Sequence, residues 1–284
     1  MTGSILSVYA VGQYEWRRAL ARKKVSILIL FTILVEVLPF AVLMLLPIPS
    51  FLANVTKLMW LVGVVTPHSF FLQFAALLIG SGSTAEEYEQ GTADLILAKP
   101  VSRTSYLLGK FLGGLTLFSF IALLTTLLAV ILSTSLFGAQ QYVEYAPIIY
   151  FTIILSTLVF YSIGFVAGET LRAPGLAYLV ASSTFITSLI LVPFLTVASS
   201  LTGNSFYLDI SRALPTWSVQ NLPLMTAKTL FLGSNSIPFI FSFTPQIPGT
   251  VPEAVTGILI YTAVCVTISF IRFLKTDVTK KSVT

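Results

Sequence analysis

The sequence predicts an all-α integral membrane protein: six transmembrane helices in a single transmembrane domain, residues 1–284, with both termini in the cytoplasm. Three observations carry this. Apolar residues make up 56% of the chain and charged ones 10%. Mean hydropathy is +0.92, a surface that a water-soluble domain could not sustain. Six stretches reach the roughly 20 apolar residues that a helix needs to cross about 30 Å of hydrocarbon.

Residues 1–24 come first. In "QYEWRRALARKK", Trp16, Ala19, Leu20 and Lys23 share one helical face, and Glu15, Arg18 and Arg22 share another. This predicts an amphipathic interfacial helix on the inner leaflet, with Trp16 at headgroup level and basic residues meeting anionic lipid. A plain basic topology anchor is the alternative. This stretch is too polar and too long for a signal-peptide n-region, so the first apolar run is expected to be an uncleaved span.

The spans are placed near Val25–Pro47, Trp60–Ser81, Tyr106–Phe137, Ala146–Ala167, Gly175–Ser199 and Ala254–Phe273. The third is long enough to project beyond the membrane. Pro39, Pro67 and Pro193 are expected to kink their helices. Thirteen of the sixteen lysines and arginines fall before the first span, between the second and third, after the fourth, or at the C-terminal end. Only Lys57, Arg212 and Lys228 fall on the other side. By the positive-inside rule both termini are then cytoplasmic. The net charge of +5 therefore reads as topology, with no nucleic acid as partner. The single cysteine, Cys265, excludes an intramolecular disulfide and argues against a metal site.

The outer connection, 200–253, is too long to lack structure of its own. Its six prolines and interspersed aromatic residues suggest short helices. "TLFLGSNSIPFIFSF", Thr229 to Phe243, is too short to span and is broken by Gly233 and Pro238, which suggests a re-entrant segment.

The cytoplasmic segment 83–105 is the most structured of the connections. Thr84 and Glu87 match a capping box at a helix start, with Glu86, Glu87 and Glu89 near its positive end. Gly91 suits a left-handed helix stop. Thr92 can open a second short helix, with Asp94 in its first turn, Lys99 in its last and Pro100 to stop it. Ser102 can cap the third span, which begins with Arg103. Leu95, Ile96 and Leu97 give the short helix an apolar face where no lipid requires one. Such a knob can dock a cytoplasmic partner and pass its movement to two spans, or simply pack beneath the bundle.

This stretch, "EEYEQGTADLILAKPVSRTSYLLGKFLGGL", resembles the signature region of ABC-2 type transporter permeases. There an acidic run, Gly-Thr, a Leu-rich segment and Pro-Val/Ile-Ser-Arg lead into "LLGK". Here Glu87, Gly91, Thr92, Leu95, Leu97 and Pro100 match, followed by Val101, Ser102, Arg103, Leu107, Leu108, Gly109 and Lys110. Lys99 stands where the family often has arginine. The closing "FIRFLKTDV" also resembles the family's pattern after the last span. The resemblance implies a permease subunit, generally of an exporter, paired with a second permease subunit as homo- or heterodimer. It also implies separate ATP-binding subunits that dock on the second-to-third connection. The coupling residues would be Glu86, Glu87, Glu89, Gly91, Thr92, Leu95, Leu97, Pro100, Ser102 and Arg103. No cofactor is expected on this chain, with ATP and Mg on the partner. No Gly-x-x-x-x-Gly-Lys-Ser/Thr is present, since Thr104 stands where the pair Gly109–Lys110 would need its first glycine.

Within the spans, Glu36 and His68 are costly polar residues. At about 1.5 Å per residue, Glu36 lies roughly 17 Å from the inner edge and His68 roughly 12 Å from the outer. Those depths nearly coincide, so the two are expected to be partners, or to line a pathway with Gln73. An ATP-independent transporter or channel using them as an ion or proton relay is the competing reading. Separate hydrogen bonds between helices are the simpler one. An intramembrane enzyme finds no convergent set of catalytic groups here.

Overall fold

The computed structural model describes residues 2–45, 56–231 and 249–276. Eleven α-helices run in order among them. α1 is Thr2–Leu20, α2 Lys23–Leu45, α3 Met59–Pro67, α4 Gln73–Gln90, α5 Thr92–Leu97 and α6 Arg103–Phe137. α7 is Ala146–Leu171, α8 Pro174–Thr202, α9 Phe206–Ala213, α10 Pro215–Leu230 and α11 Val251–Lys275. A π-helical turn, His68–Leu72, joins α3 to α4 immediately after Pro67. Proline brings no N–H, and one wider turn absorbs the mismatch without breaking the helix.

Six helical stretches are long and apolar enough to cross a membrane: Val25–Val42, Thr56–Gln90, Arg103–Phe137, Val143–Leu171, Pro174–Thr202 and Val251–Lys275. They are the six expected. The second departs most, running on to Gln90 rather than ending near Ser81. Thr84 and Glu87 therefore lie inside α4, and the expected capping box does not exist. At about 1.5 Å per residue the second and third stretches are each about 50 Å long, so both project well beyond a hydrocarbon core.

Glycine lets the long helices approach closely. A Cβ on Gly80 of α4 would meet the Tyr161 carbonyl of α7, and one on Gly164 would meet the Leu77 carbonyl of α4. Gly168 faces the Ser81 carbonyl in the same way. Gly164-x-x-x-Gly168 is thus a small-residue stripe holding two backbones together. A second stripe, Gly109-x-x-x-Gly113 on α6, receives α1 through Val11, Gly12 and Glu15. The N-terminal helix is accordingly part of the bundle and not merely a lipid-surface element. Trp16 Nε1 donates to Thr116 Oγ1 of α6 at 2.8 Å, while Ile5, Leu6 and Tyr9 remain exposed.

The hairpin of α9 and α10 lies deeper than an outer cap. Ser211 Oγ donates to the Val192 carbonyl, and Thr216 N donates to Ser188 Oγ, both near the middle of α8. α10 then returns along α7 and α11 to Phe231, which meets Trp60, Tyr142 and Tyr145. Within the long connection, the helical hairpin that packs into the bundle covers 206–230, ahead of the segment expected to be re-entrant. The expected one, Thr229–Phe243, lies for the most part outside the described residues.

Candidate functional site

Segment α5 sits at the tip between α4 and α6. Gly91, at φ 68°, ends α4 in the left-handed region that glycine tolerates. The six-residue helix Thr92–Leu97 follows, and Pro100 lies beyond it. Ser102 then caps α6, its hydroxyl accepting from Ser105 N at 3.1 Å. The expected apolar face is split. Ala93 is buried, and Ile96 and Leu97 pack against a small core of Val11, Tyr88, Tyr106, Leu107 and Phe273. Leu95 points away from it, 69% exposed. Glu89, Lys99, Pro100, Ser102 and Arg103 are exposed around it. A fixed knob with an outward leucine and a charged rim results.

Glu86 and Glu87 are not on that knob. Both are buried, and they meet the N-terminal helix in a closed ionic cluster. Lys110 of α6, fully buried, donates to Glu15 Oε2 at 2.5 Å and also to Glu87 Oε1. Arg18 reaches Glu15 Oε1 at 2.7 Å, Glu87 Oε1 at 2.9 Å and the Ser83 carbonyl at 2.8 Å. Arg22 pairs with Glu86, whose Oε1 also accepts from Tyr178 OH of α8 at 2.6 Å. Tyr106 OH donates to Glu87 Oε2 at 2.5 Å. Three carboxylates face three cations, so α1, α4 and α6 are joined without residual charge, and α8 through Tyr178. Burying each ion costs several kcal/mol, which only complete pairing offsets.

Burial alone would raise the Glu15 carboxyl, but Lys110 and Arg18 outweigh it and hold its pKa below the usual value of 4.5. Burial would likewise lower Arg18, and Glu15 and Glu87 reverse that. The basic residues expected to meet lipid through Arg18 and Arg22 instead meet protein carboxylates. The face formed by Glu15, Arg18 and Arg22 was legible in the sequence; its partner was not.

A second polar knot lies beside the first. Tyr88 OH donates to Glu169 of α7 at 2.7 Å, and the Arg172 guanidinium sits 4.6 Å from the Tyr88 ring centre. Arg272 of α11 donates to the Thr170 carbonyl at 2.7 Å. α1, α4, α6, α7 and α11 thus contribute to the core beneath α5, and α8 joins α4 through Tyr178 and Glu86.

His68 and Gln73 do come together. Gln73 Nε2 lies 3.1 Å from His68 Nδ1 and donates to Thr157 Oγ1 at 3.3 Å. His68 Nε2 lies 3.2 Å from the Val219 carbonyl of α10 and from Ser156 Oγ of α7. Glu36 is not their partner. Neither of its carboxylate oxygens has a hydrogen-bond partner among the described residues, and it lines a separate cavity between α2 and α3. The expectation from equal depth said nothing of which side of each helix the groups occupy.

Sequence reading missed Glu15, Lys110 and Glu169 as members of polar clusters. Acids on the second span with bases at helical spacing on the first helix were the available signal. The Gly-x-x-x-Gly pairs on the third and fourth spans were another.

No curated protein matches the chain. The family model described as ABC-2 family transporter protein matches residues 9–278, nearly the whole length and inclusive of the α1 clasp, the α5 knob and all six long apolar stretches. The chain belongs to the ABC-2 family of transporter proteins, as a multi-pass membrane transport component.

Proposed function

We propose that this chain is the permease subunit of an ATP-binding cassette exporter, energised by a separate ATPase subunit that docks on α5. The observation that carries this is Leu95, held outward on a six-residue helix whose two ends are fixed by Gly91 and the Ser102 cap. An exposed leucine on a rigid tip has no use in water and matches a hydrophobic socket on a partner. The helices beneath it are clamped by buried ion pairs, so displacement of α5 passes to α1, α4 and α6 together. ATP and Mg would be held by the partner.

The end carrying α5 also carries Arg17, Lys23, Lys99, Arg103, Arg172, Arg272 and Lys275. That enrichment supports a cytoplasmic position for α5 and both termini, in a cell membrane, with a second permease subunit completing the pathway as homo- or heterodimer. Membrane lipid would cover the apolar faces left exposed on α2, α8 and α11.

Leu95→Asp tests docking. At an exposed position its effect on stability is expected within about 0.5 kcal/mol. Stoichiometric co-purification of an ATP-hydrolysing subunit should fall at least tenfold, about 1.4 kcal/mol of binding. Unchanged co-purification would remove α5 from the contact.

A further inference from the structure

α1 runs beside the first turns of α6 and in the same direction. Val8 and Val11 lie at Gly109, Gly12 lies between Gly109 and Gly113, and Glu15 lies at Gly113. Trp16 then reaches Thr116 and Phe120. Because α6 crosses the membrane, position along α6 measures depth for α1 as well. From Phe137, at the far end of α6, to Thr116 is about 30 Å at about 1.5 Å per residue, the thickness of a hydrocarbon core. Trp16 therefore marks the membrane boundary on the α5 side, the level at which tryptophan is enriched.

Ile5, Leu6 and Tyr9 share a face of α1 turned away from α6, and they are 71%, 67% and 69% exposed. They precede Trp16 in the same helix and lie about 10–16 Å farther from the hydrocarbon at about 1.5 Å per residue. The headgroup layer on one side is only about 5–8 Å deep. Lipid does not reach these side chains, and water does not favour an apolar patch of three.

The neighbouring helix indicates what covers them. α5 has six residues, so it is about 9 Å long and 10–12 Å wide, a face on the order of 100 Å². Each side of a stable protein interface buries about 800 Å². Leu95 and its rim thus leave most of a docking surface to be supplied from elsewhere. α1 and α5 share one core, in which Val11 and Ala93 are buried with Ile96 and Leu97 packed against them. Counting back from the contact of Val8 with Gly109, Ile5 and Leu6 stand near the level of Tyr106 and Leu107, members of that same core.

We infer that Ile5, Leu6 and Tyr9 form a second docking surface for the ATP-hydrolysing subunit, continuous with Leu95 and received by an apolar patch on that subunit. This rests on the docking proposed at α5 and adds a contact to it. Through Glu15 and Arg18 the same helix is tied to Lys110 and Glu87, so a partner gripping α1 would pull on α4 and α6 by a second route.

Photo-crosslinking tests this in protein expressed in its native membrane. A benzophenone amino acid is placed at position 6, with position 95 in parallel and position 31, exposed on α2 within the span, as the lipid control. Position 6 should capture the same ATP-binding polypeptide as position 95. Capture from 95 without capture from 6 would overturn the inference and leave docking at α5 intact. Lipid adducts from 6, like those from 31, would place this face in the membrane, and an adduct with a second copy of the chain would make it a permease interface; either result overturns it. No ATP-binding adduct from 6 or 95 would count against the docking reading itself, and the second surface would fall with it. The triple variant Ile5→Ser, Leu6→Ser, Tyr9→Ser gives the magnitude. Co-purification of the ATP-hydrolysing subunit should fall at least fivefold while the melting temperature of the isolated chain stays unchanged. Undiminished co-purification would overturn the inference.

Discussion

Lys110→Ala is expected to destabilise the protein by about 3–5 kcal/mol, the cost of leaving buried carboxylates without their cation. Lys110 is the sole cation touching both Glu15 and Glu87 from α6, and it is fully buried. Without it Arg18 alone must serve two carboxylates, and α1 loses its ionic tie to the third span. The melting temperature should fall sharply, and the connection between α1 and α2 should become sensitive to protease. Lys110→Met combined with Glu87→Gln should recover a large part of the loss, because the pair is then removed rather than halved. Acid sensitivity gives the sign independently. The folded pKa of Glu15 lies below 4.5, so its contribution is present above about pH 4.5 and is lost as pH falls through the lower folded value. Removing Lys110 should move release of α1 to higher pH. A Lys110→Ala protein that melts like the wild type would show that the cluster does not clamp these helices.

Gly164→Leu is the second large effect, expected at about 3 kcal/mol or more from overpacking. A side chain there meets the Leu77 carbonyl and Ser81 of α4, which are helix backbone and a buried residue with no room to yield. α4 and α7 would have to separate along their whole shared face. Gly175→Ala is the control, since nothing lies within 4 Å of a Cβ at that position and its φ is ordinary. It should be neutral or slightly stabilising through helix propensity. Thermal unfolding in detergent distinguishes the two. Equal tolerance of both substitutions would mean that the stripe is incidental.

The features legible in the sequence are those with local causes. Span number follows from the length of apolar runs, and the stops at Gly91 and Pro100 and the cap at Ser102 follow from single residues with one conformational use. Residues 83–90 misled for the opposite reason. Ser83, Thr84, Glu86 and Glu87 resemble a helix start, yet the partners of the two carboxylates, Arg18, Arg22, Lys110 and Tyr178, come from α1, the turn after it, α6 and α8. Paired in that way, the polar stretch continues as buried helix. The hairpin of α9 and α10 shows the same limit. Pro215 opens α10 at its first turn and Pro223 sits within it, but contacts with residues far off in the chain, His68, Ser69 and Ser188 among them, draw it into the bundle. Amphipathic faces can be read from one segment; what they face requires the others.

Docking at α5 is tested most directly by photo-crosslinking from position 95. A benzophenone amino acid placed there, in protein expressed in its native membrane, should capture a polypeptide that binds ATP. The same group at Phe206, exposed at the start of α9, should not. An ATP-binding adduct from position 95 alone would establish α5 as the site at which the energising subunit engages. No such adduct from 95, or one equally from 206, would contradict it.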